Sequence, residues 1–121
     1  MTKILIAEDE RDIRELVCFT LEHNGYTVIS SADGRTALEL AASETPDLVL
    51  LDVRMPRLDG YEVCRRIKAD PDLRDIPVVF LSAKGQEAEV QAGLEAGAQA
   101  YIIKPFSMNE LITQIEQTLN S

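Results

Sequence analysis

A chain of 121 residues without a break in composition fits a single domain with one core. Its residues are 45% hydrophobic and 27% charged, ordinary for a globular protein, and no segment approaches the ~20 apolar residues of a membrane span. A formal net charge of -9 argues against direct binding of nucleic acid or anionic lipid, both of which demand a basic face.

The first ten residues, MTKILIAEDE, turn acidic after a short apolar run, so no secretory signal is expected. KILIA (3–7) is short, branched and apolar, and reads as a strand. Ile13, Leu16, Val17, Thr20 and Leu21 then share one helix face, closed by Asn24-Gly25. YTVIS (26–30) is the second strand, and a helix over about 34–44 carries Ala37, Leu38, Ala41 and Ala42 on one stripe.

DLVLL (47–51) is the third strand. It runs directly into Asp52, a charge at the end of a core segment, and Met55-Pro56 stops its continuation. A third helix over about 60–69 uses Val63, Cys64 and Ile67, and ends before Pro71. Asp59 before Gly60 reads as a turn and N-cap. PVVFL (77–81) and AYIIK (100–104) are the last two strands. Between them a helix over about 86–97 is weakly amphipathic, with Val90 and Leu94 among Ala, Glu and Gln. The final helix, about 107–119, presents Leu111, Ile112, Ile115 and Leu119.

Strand–helix units follow at intervals of about 22 residues, once nearer 30, and no L-x-x-L-x-L signature suggests a solenoid. Near-continuous apolar strands alternating with helices predict an α/β fold: a flavodoxin-like, doubly wound (βα)5 domain over 1–121 with a parallel five-stranded sheet buried on both faces. Cys18 and Cys64 lie far apart and form no C-x-x-C pair, so packed thiols in a reducing cytosol are favoured over a disulfide or redox sensor. With one histidine, a structural zinc site is not expected. That histidine, His23, falls at the end of the first helix, where a cation suits the dipole and no acid–base role is assigned.

Ligands of such sheets bind at the carboxyl ends of the strands, beside the point where strand order reverses. The first strand is followed by Glu8, Asp9 and Glu10, the third by Asp52, the fourth by Ser82 and the fifth by Lys104-Pro105. Right-handed crossovers in the order 2-1-3-4-5 put the first and third strands side by side, bringing Glu8, Asp9 and Asp52 into one pocket. Three clustered carboxylates repel, so a divalent cation is the natural occupant, with Mg²⁺ or Mn²⁺ matching hard oxygen ligands. Singly, each residue has a plainer account: a helix-start acid for Asp9 or Glu10, a loop hydroxyl for Ser82, a surface lysine for Lys104. Together, at four of five strand ends, they point to metal and phosphate chemistry.

On these residues (AEDE after the first strand, LLDVRMPRLDG around Asp52, FLSA at 80–83 and YIIKPF at 101–106) the chain resembles the receiver domains of two-component response regulators, of the chemotaxis-regulator type, along essentially its whole length. The resemblance implies that Asp52 accepts a phosphoryl group from the phosphohistidine of a kinase or phosphotransfer protein. It implies Mg²⁺ held by Asp9, Asp52 and the backbone carbonyl of Arg54, with Glu8 acting through a bound water. Ser82 and Lys104 would each contact a phosphoryl oxygen, Lys104-Pro105 would be cis, and Ser82 with Tyr101 would form the switch. The first acid is often Asp in that family; here Glu8 keeps the charge on a longer arm. The readout face would be the fourth helix, fifth strand and fifth helix, serving an output domain, a downstream protein or a phosphorylation-dependent homodimer, in a cytoplasmic location. Arg54 and Lys84 stand near the implied water path, or equally are solvated surface charges.

Competing functions fit less well. An aspartyl phosphatase of the haloacid-dehalogenase type wants a second Asp where Arg54 stands, and the chain has no room for a cap domain, so turnover of an external substrate is not expected. A flavin-binding module needs a Ser/Thr/Gly phosphate cradle where Glu8, Asp9 and Glu10 lie. A phosphorylation-independent module of the same fold would not be expected to keep the complete acidic set with Ser82 and Lys104.

Overall fold

A computed structural model describes residues 2–82, 87–104 and 106–120, with only the backbone for 87–89. Strands β1 (Lys3–Ala7), β2 (Thr27–Ser31), β3 (Leu48–Asp52), β4 (Val78–Ser82) and β5 (Ala100–Ile103) alternate with helices α1 (Arg11–His23), α2 (Gly34–Glu44), α3 (Gly60–Ala69), α4 (Glu87–Glu95) and α5 (Met108–Leu119). All pairings are parallel, in the order β2-β1-β3-β4-β5, so the sheet has the predicted topology.

Alternation along the strands divides the core into two layers. Leu5, Val49, Leu51, Val78 and Phe80 face the side covered by α2, α3 and α4. Ile4, Ile6, Leu48, Leu50, Val79 and Leu81 face α1 and α5 through Val17, Leu21, Leu111 and Ile115. Each fully buried Leu or Ile stabilises the fold by about 1.5–3 kcal/mol, so these central strands hold the sheet together. The expectation of strands buried on both faces holds for β3 and β4 and nearly for β1, but not for β2 and β5. Those two are the edges, and their partly exposed residues follow from having a neighbour on one side only.

Three strands start and finish one residue later than their apolar runs suggest. The Tyr26 N–H is taken by the Leu21 carbonyl at 3.1 Å, and Pro77 has no N–H to give. At the other end the ladder continues through polar residues, pairing Ala7 with Ser31, Asp52 with Leu81 and Ser82 with Ile103. Asp52 and Ser82 are therefore strand residues, held by the sheet itself. The fifth strand stops at Ile103, although the Lys104 N–H still donates to the Ser82 carbonyl at 2.7 Å.

Helix faces also need correction. Leu16 is 51% exposed and Leu94 44% exposed, and Ala42 faces solvent; Val17, Leu21, Ala37 and Ala41 are buried as expected, and in the fourth helix and the turn behind it burial falls on Gly93 and Ala96. The fourth helix is shorter than expected, since Gly97 at φ +107 ends the turn behind it; residue 86 and the predicted Lys104-Pro105 cis bond lie outside the described residues. Asn24-Gly25 closes α1 as expected, with Gly25 at φ 90. Asp59 caps α3 by accepting from the Glu62 N–H at 2.9 Å, and Ser107 does the same for α5 from Glu110 at 3.0 Å. Cys64 is buried and Cys18 half-buried, both free thiols. His23 sits in the last turn of α1, stacked on the exposed Phe19.

The segment joining β3 to α3 is clamped at two glycines. A Cβ on Gly60 would stand 2.3 Å from the Asp52 carbonyl oxygen, and one on Gly34 would overlap the Leu58 carbonyl. The Gly60 N–H donates to the Val53 carbonyl at 2.9 Å, and Arg57 pairs with Asp33 at 3.5 Å. Backbone approaches this close leave no room for any side chain. The loop after Asp52 is thereby pressed against the starts of two helices.

Candidate functional site: a carboxylate cluster with one lysine

At the carboxyl edge of the sheet, Glu8 and Asp9 follow β1, and Asp52 ends the adjacent β3. One carboxylate oxygen from each of the three lies within 4.8 Å of the others. Glu8 is fully buried and Asp52 is 6% exposed, while Asp9 opens to solvent. Lys104, at the end of β5, reaches across the rim: its Nζ is 2.6 Å from Glu8 Oε1 and 3.6 Å from Asp52 Oδ1. Ser82 is buried at the end of β4, between them in strand order.

The electrostatics follow from this crowding. Burial pushes the Asp52 carboxyl up to about 8, and the facing Glu8 carboxylate adds to it; Lys104 pulls in the other direction and does not compensate. Without a cation the Asp52 carboxyl therefore keeps its proton at neutral pH. Burial opposes the charge on Lys104, but its hydrogen bond to the Glu8 carboxylate and the field of Asp52 outweigh it and raise its basicity. Hard, crowded, partly desolvated carboxylate oxygens at a rim open through Asp9 fit a divalent cation that would take the place of that proton.

Glu8, Asp9, Asp52 and Lys104 converge on this edge, and Ser82 ends the neighbouring strand beside them. Arg54 is exposed two residues beyond Asp52, and Glu10 is exposed at the N-cap of α1. Lys84 falls outside the described residues. Tyr101 is half-buried on β5, its ring 6.0 Å from that of Phe80 and against Gly93 of α4, where an added Cβ would come within 2.9 Å. The lysine's nearer partner is Glu8, whose longer arm reaches it, and Asp52 is the more distant neighbour.

Sequence reasoning missed Arg14. From the second turn of α1 its guanidinium donates back to the Glu8 carbonyl at 2.7 Å and reaches the Asp9 carbonyl at 3.5 Å. Nothing in the sequence marks it out, because its targets are main-chain atoms and any helical arginine looks alike in one dimension.

The chain as a whole is similar to known proteins. The family model for the response regulator receiver domain matches residues 4–116. The response regulator MprA of Mycolicibacterium vanbaalenii is 46% identical over 117 residues, covering 97% of this chain and 50% of that protein; the chain thus spans about half the length of the curated relatives it matches. Among solved structures, the chemotaxis protein CheY4 of Vibrio cholerae superposes with a TM-score of 0.93 at 30% identity, covering 98% of each chain. The receiver domain of a sensor histidine kinase from Pseudomonas aeruginosa, solved with a magnesium ion coordinated in its active-site cleft, gives a TM-score of 0.92 at 32% identity, covering 99% of this chain and 98% of that one.

Proposed function

The chain belongs to the response regulator receiver domain family, and from that premise we propose that residues 1–121 form a phosphorylation switch in which Asp52 is the acceptor. The observation that carries this reading is the buried carboxylate of Asp52, fixed in the sheet ladder, facing Glu8, Asp9 and the ammonium of Lys104.

In this reading an Asp52 oxygen attacks phosphorus in line as the N–P bond of a phosphohistidine breaks, its electron pair leaving with the imidazole. Asp52 must first lose its proton, and Glu8 and Asp9 on either side oppose that loss. Mg²⁺, or Mn²⁺ in its place, held by Asp9, Asp52 and the Arg54 carbonyl with Glu8 acting through water, would neutralise this charge and the developing charge on the phosphoryl oxygens. Lys104 is held by Glu8 and lies 3.6 Å from Asp52 Oδ1, so in this reading it exchanges its first partner for a phosphoryl oxygen. The Ser82 hydroxyl, on the neighbouring strand, takes another. The rigid strand ends supply the positioning, which is most of what phosphoryl transfer asks of a protein.

The readout runs through Ser82 and Tyr101 to the face built from α4, β5 and α5. Leu94 and Ile103 are large apolar side chains exposed on that face, at 44% and 45%, which supports a partner surface there. That partner is an output domain, a downstream protein or a second copy in a phosphorylation-dependent homodimer. The donor is a histidine kinase or phosphotransfer protein, and the setting is cytoplasmic; among the described residues no helix is long and apolar enough to cross a membrane. The domain catalyses its own modification and turns over no external substrate.

The test is a titration with Mg²⁺ and beryllofluoride, a phosphoryl mimic, followed by two-dimensional NMR. The reading predicts saturable shifts at Ser82, Tyr101 and Lys104 in the wild-type protein and none in Asp52→Asn. Equal shifts in both proteins, or none in either, would reject it.

A further inference from the structure

From the contacts around the β1–α1 turn we infer that Arg14 is a positioning residue for the metal site, holding the acidic turn through its backbone. The inference rests on the reading of Glu8, Asp9 and Asp52 as a cation site.

Glu8 is fixed at each of its polar atoms. Its N–H donates to the Ser31 carbonyl at 3.0 Å, its Oε1 accepts from Lys104 at 2.6 Å, and its Oε2 accepts from the Glu10 N–H at 3.4 Å. The remaining atom, the carbonyl oxygen, accepts from Arg14 Nη1 at 2.7 Å, and the same nitrogen reaches the Asp9 carbonyl at 3.5 Å. Among the described residues, no other side chain is hydrogen-bonded to these two carbonyls. The turn has little else to hold it from the helix side, because Glu10, at the N-cap of α1, makes no side-chain cap bond.

The consequence concerns Asp9. It is the exposed member of the carboxylate trio, with no salt bridge among the described residues, so the peptides on either side do much to set its direction. Arg14 turns both carbonyls toward α1, and the carboxylates are left on the rim side. A half-buried guanidinium spends its charge on these two main-chain oxygens, which makes the bonds stronger than neutral ones. It also places a positive charge behind four consecutive or clustered acids without competing for their carboxylates. Groups that orient metal ligands without touching the metal commonly govern affinity by about 10–100-fold.

The experiment is calorimetric titration of the intact chain with Mg²⁺, comparing the wild type with R14M, which keeps the stem and removes the donor, and R14K, which keeps one charged nitrogen. Because a single nitrogen makes both contacts, lysine can restore them. The expected result is about tenfold weaker Mg²⁺ binding in R14M and recovery of most of that loss in R14K. Urea denaturation of the metal-free proteins reports separately on folding. Should R14M not fold, R14Q, neutral and shorter, decides in its place, with binding expected to weaken several-fold. Wild-type affinity in R14M, or in R14Q where it stands in, would overturn the role of Arg14 while leaving the metal site intact. Failure of the wild-type protein to bind Mg²⁺ would instead overturn the cation site, and the inference with it.

Discussion

Replacing Asp52 with Asn should stabilise the metal-free protein and remove most of its pH dependence. The carboxyl is pushed up to about 8 in the fold, against an ordinary value of 3.8. Above pH 3.8 the unfolded chain has lost this proton and the folded state keeps it, so folding stability falls as pH rises toward 8. The favourable contribution is complete only below the unfolded value. Between 3.8 and pH 7 lie about three units at about 1.4 kcal/mol each, an upper bound of about 4 kcal/mol lost by neutral pH. Asn has the same shape and no proton to lose, and Lys104 keeps its closer partner Glu8 at 2.6 Å, so no charge is orphaned. Urea denaturation in a chelator, at intervals from pH 5 to 8.5, should show wild-type stability declining by a few kcal/mol and D52N nearly flat. Saturating Mg²⁺ should flatten the wild-type curve as well, since a cation replaces the proton. An equal slope in the two proteins, or a D52N variant less stable than wild type at pH 7.5, would refute this account of the Asp52 environment.

Three further perturbations follow from the geometry. Lys104→Met leaves the fully buried Glu8 without its cation, and should cost about 3 kcal/mol in metal-free urea denaturation as well as slowing phosphorylation; an unchanged midpoint would contradict the pairing seen here. Gly60→Ala drives a Cβ to 2.3 Å from the Asp52 carbonyl and should destabilise by about 2–3 kcal/mol, with weaker phosphoacceptance because the acceptor strand end must shift. Gly93→Ala sets about 1 kcal/mol of helix propensity against a 2.9 Å clash with the Tyr101 ring. NMR of labelled tyrosine should show that ring displaced, and an unmoved ring in a stabilised protein would show that Gly93 does not seat it.

Much of this architecture was readable in the linear chain because a parallel sheet forces consistency. Five apolar runs separated by helical patterns admit few arrangements, and once the first and third strands are neighbours their following residues must meet. Glu8, Asp9, Asp52, Ser82 and Lys104 were therefore legible as a group, although each alone is unremarkable. Helix faces were less so. Periodicity placed Leu16 inward beside Val17 and Leu21, and Leu94 inward beside Val90, whereas the structure buries Val17 and Leu21 but exposes Leu16 and Leu94, and buries Gly93 in its stead. Contacts with main-chain atoms left no trace at all: Arg14 on the Glu8 carbonyl, and the glycine clamps at Gly34 and Gly60, depend on backbone proximity that composition does not encode. The preference of Lys104 for Glu8 over Asp52 was hidden for a similar reason, since it turns on one methylene and a difference of about an ångström.

The central claim, that Asp52 is a metal-dependent phosphoacceptor, is tested most directly by intact-mass measurement after incubation with acetyl phosphate and Mg²⁺, then with a phosphorylated histidine kinase as donor. A gain of one phosphoryl group in the wild-type protein, absent in Asp52→Asn and absent with a chelator, is the predicted result. No gain from either donor, or the same gain in the Asp52→Asn protein, would contradict it.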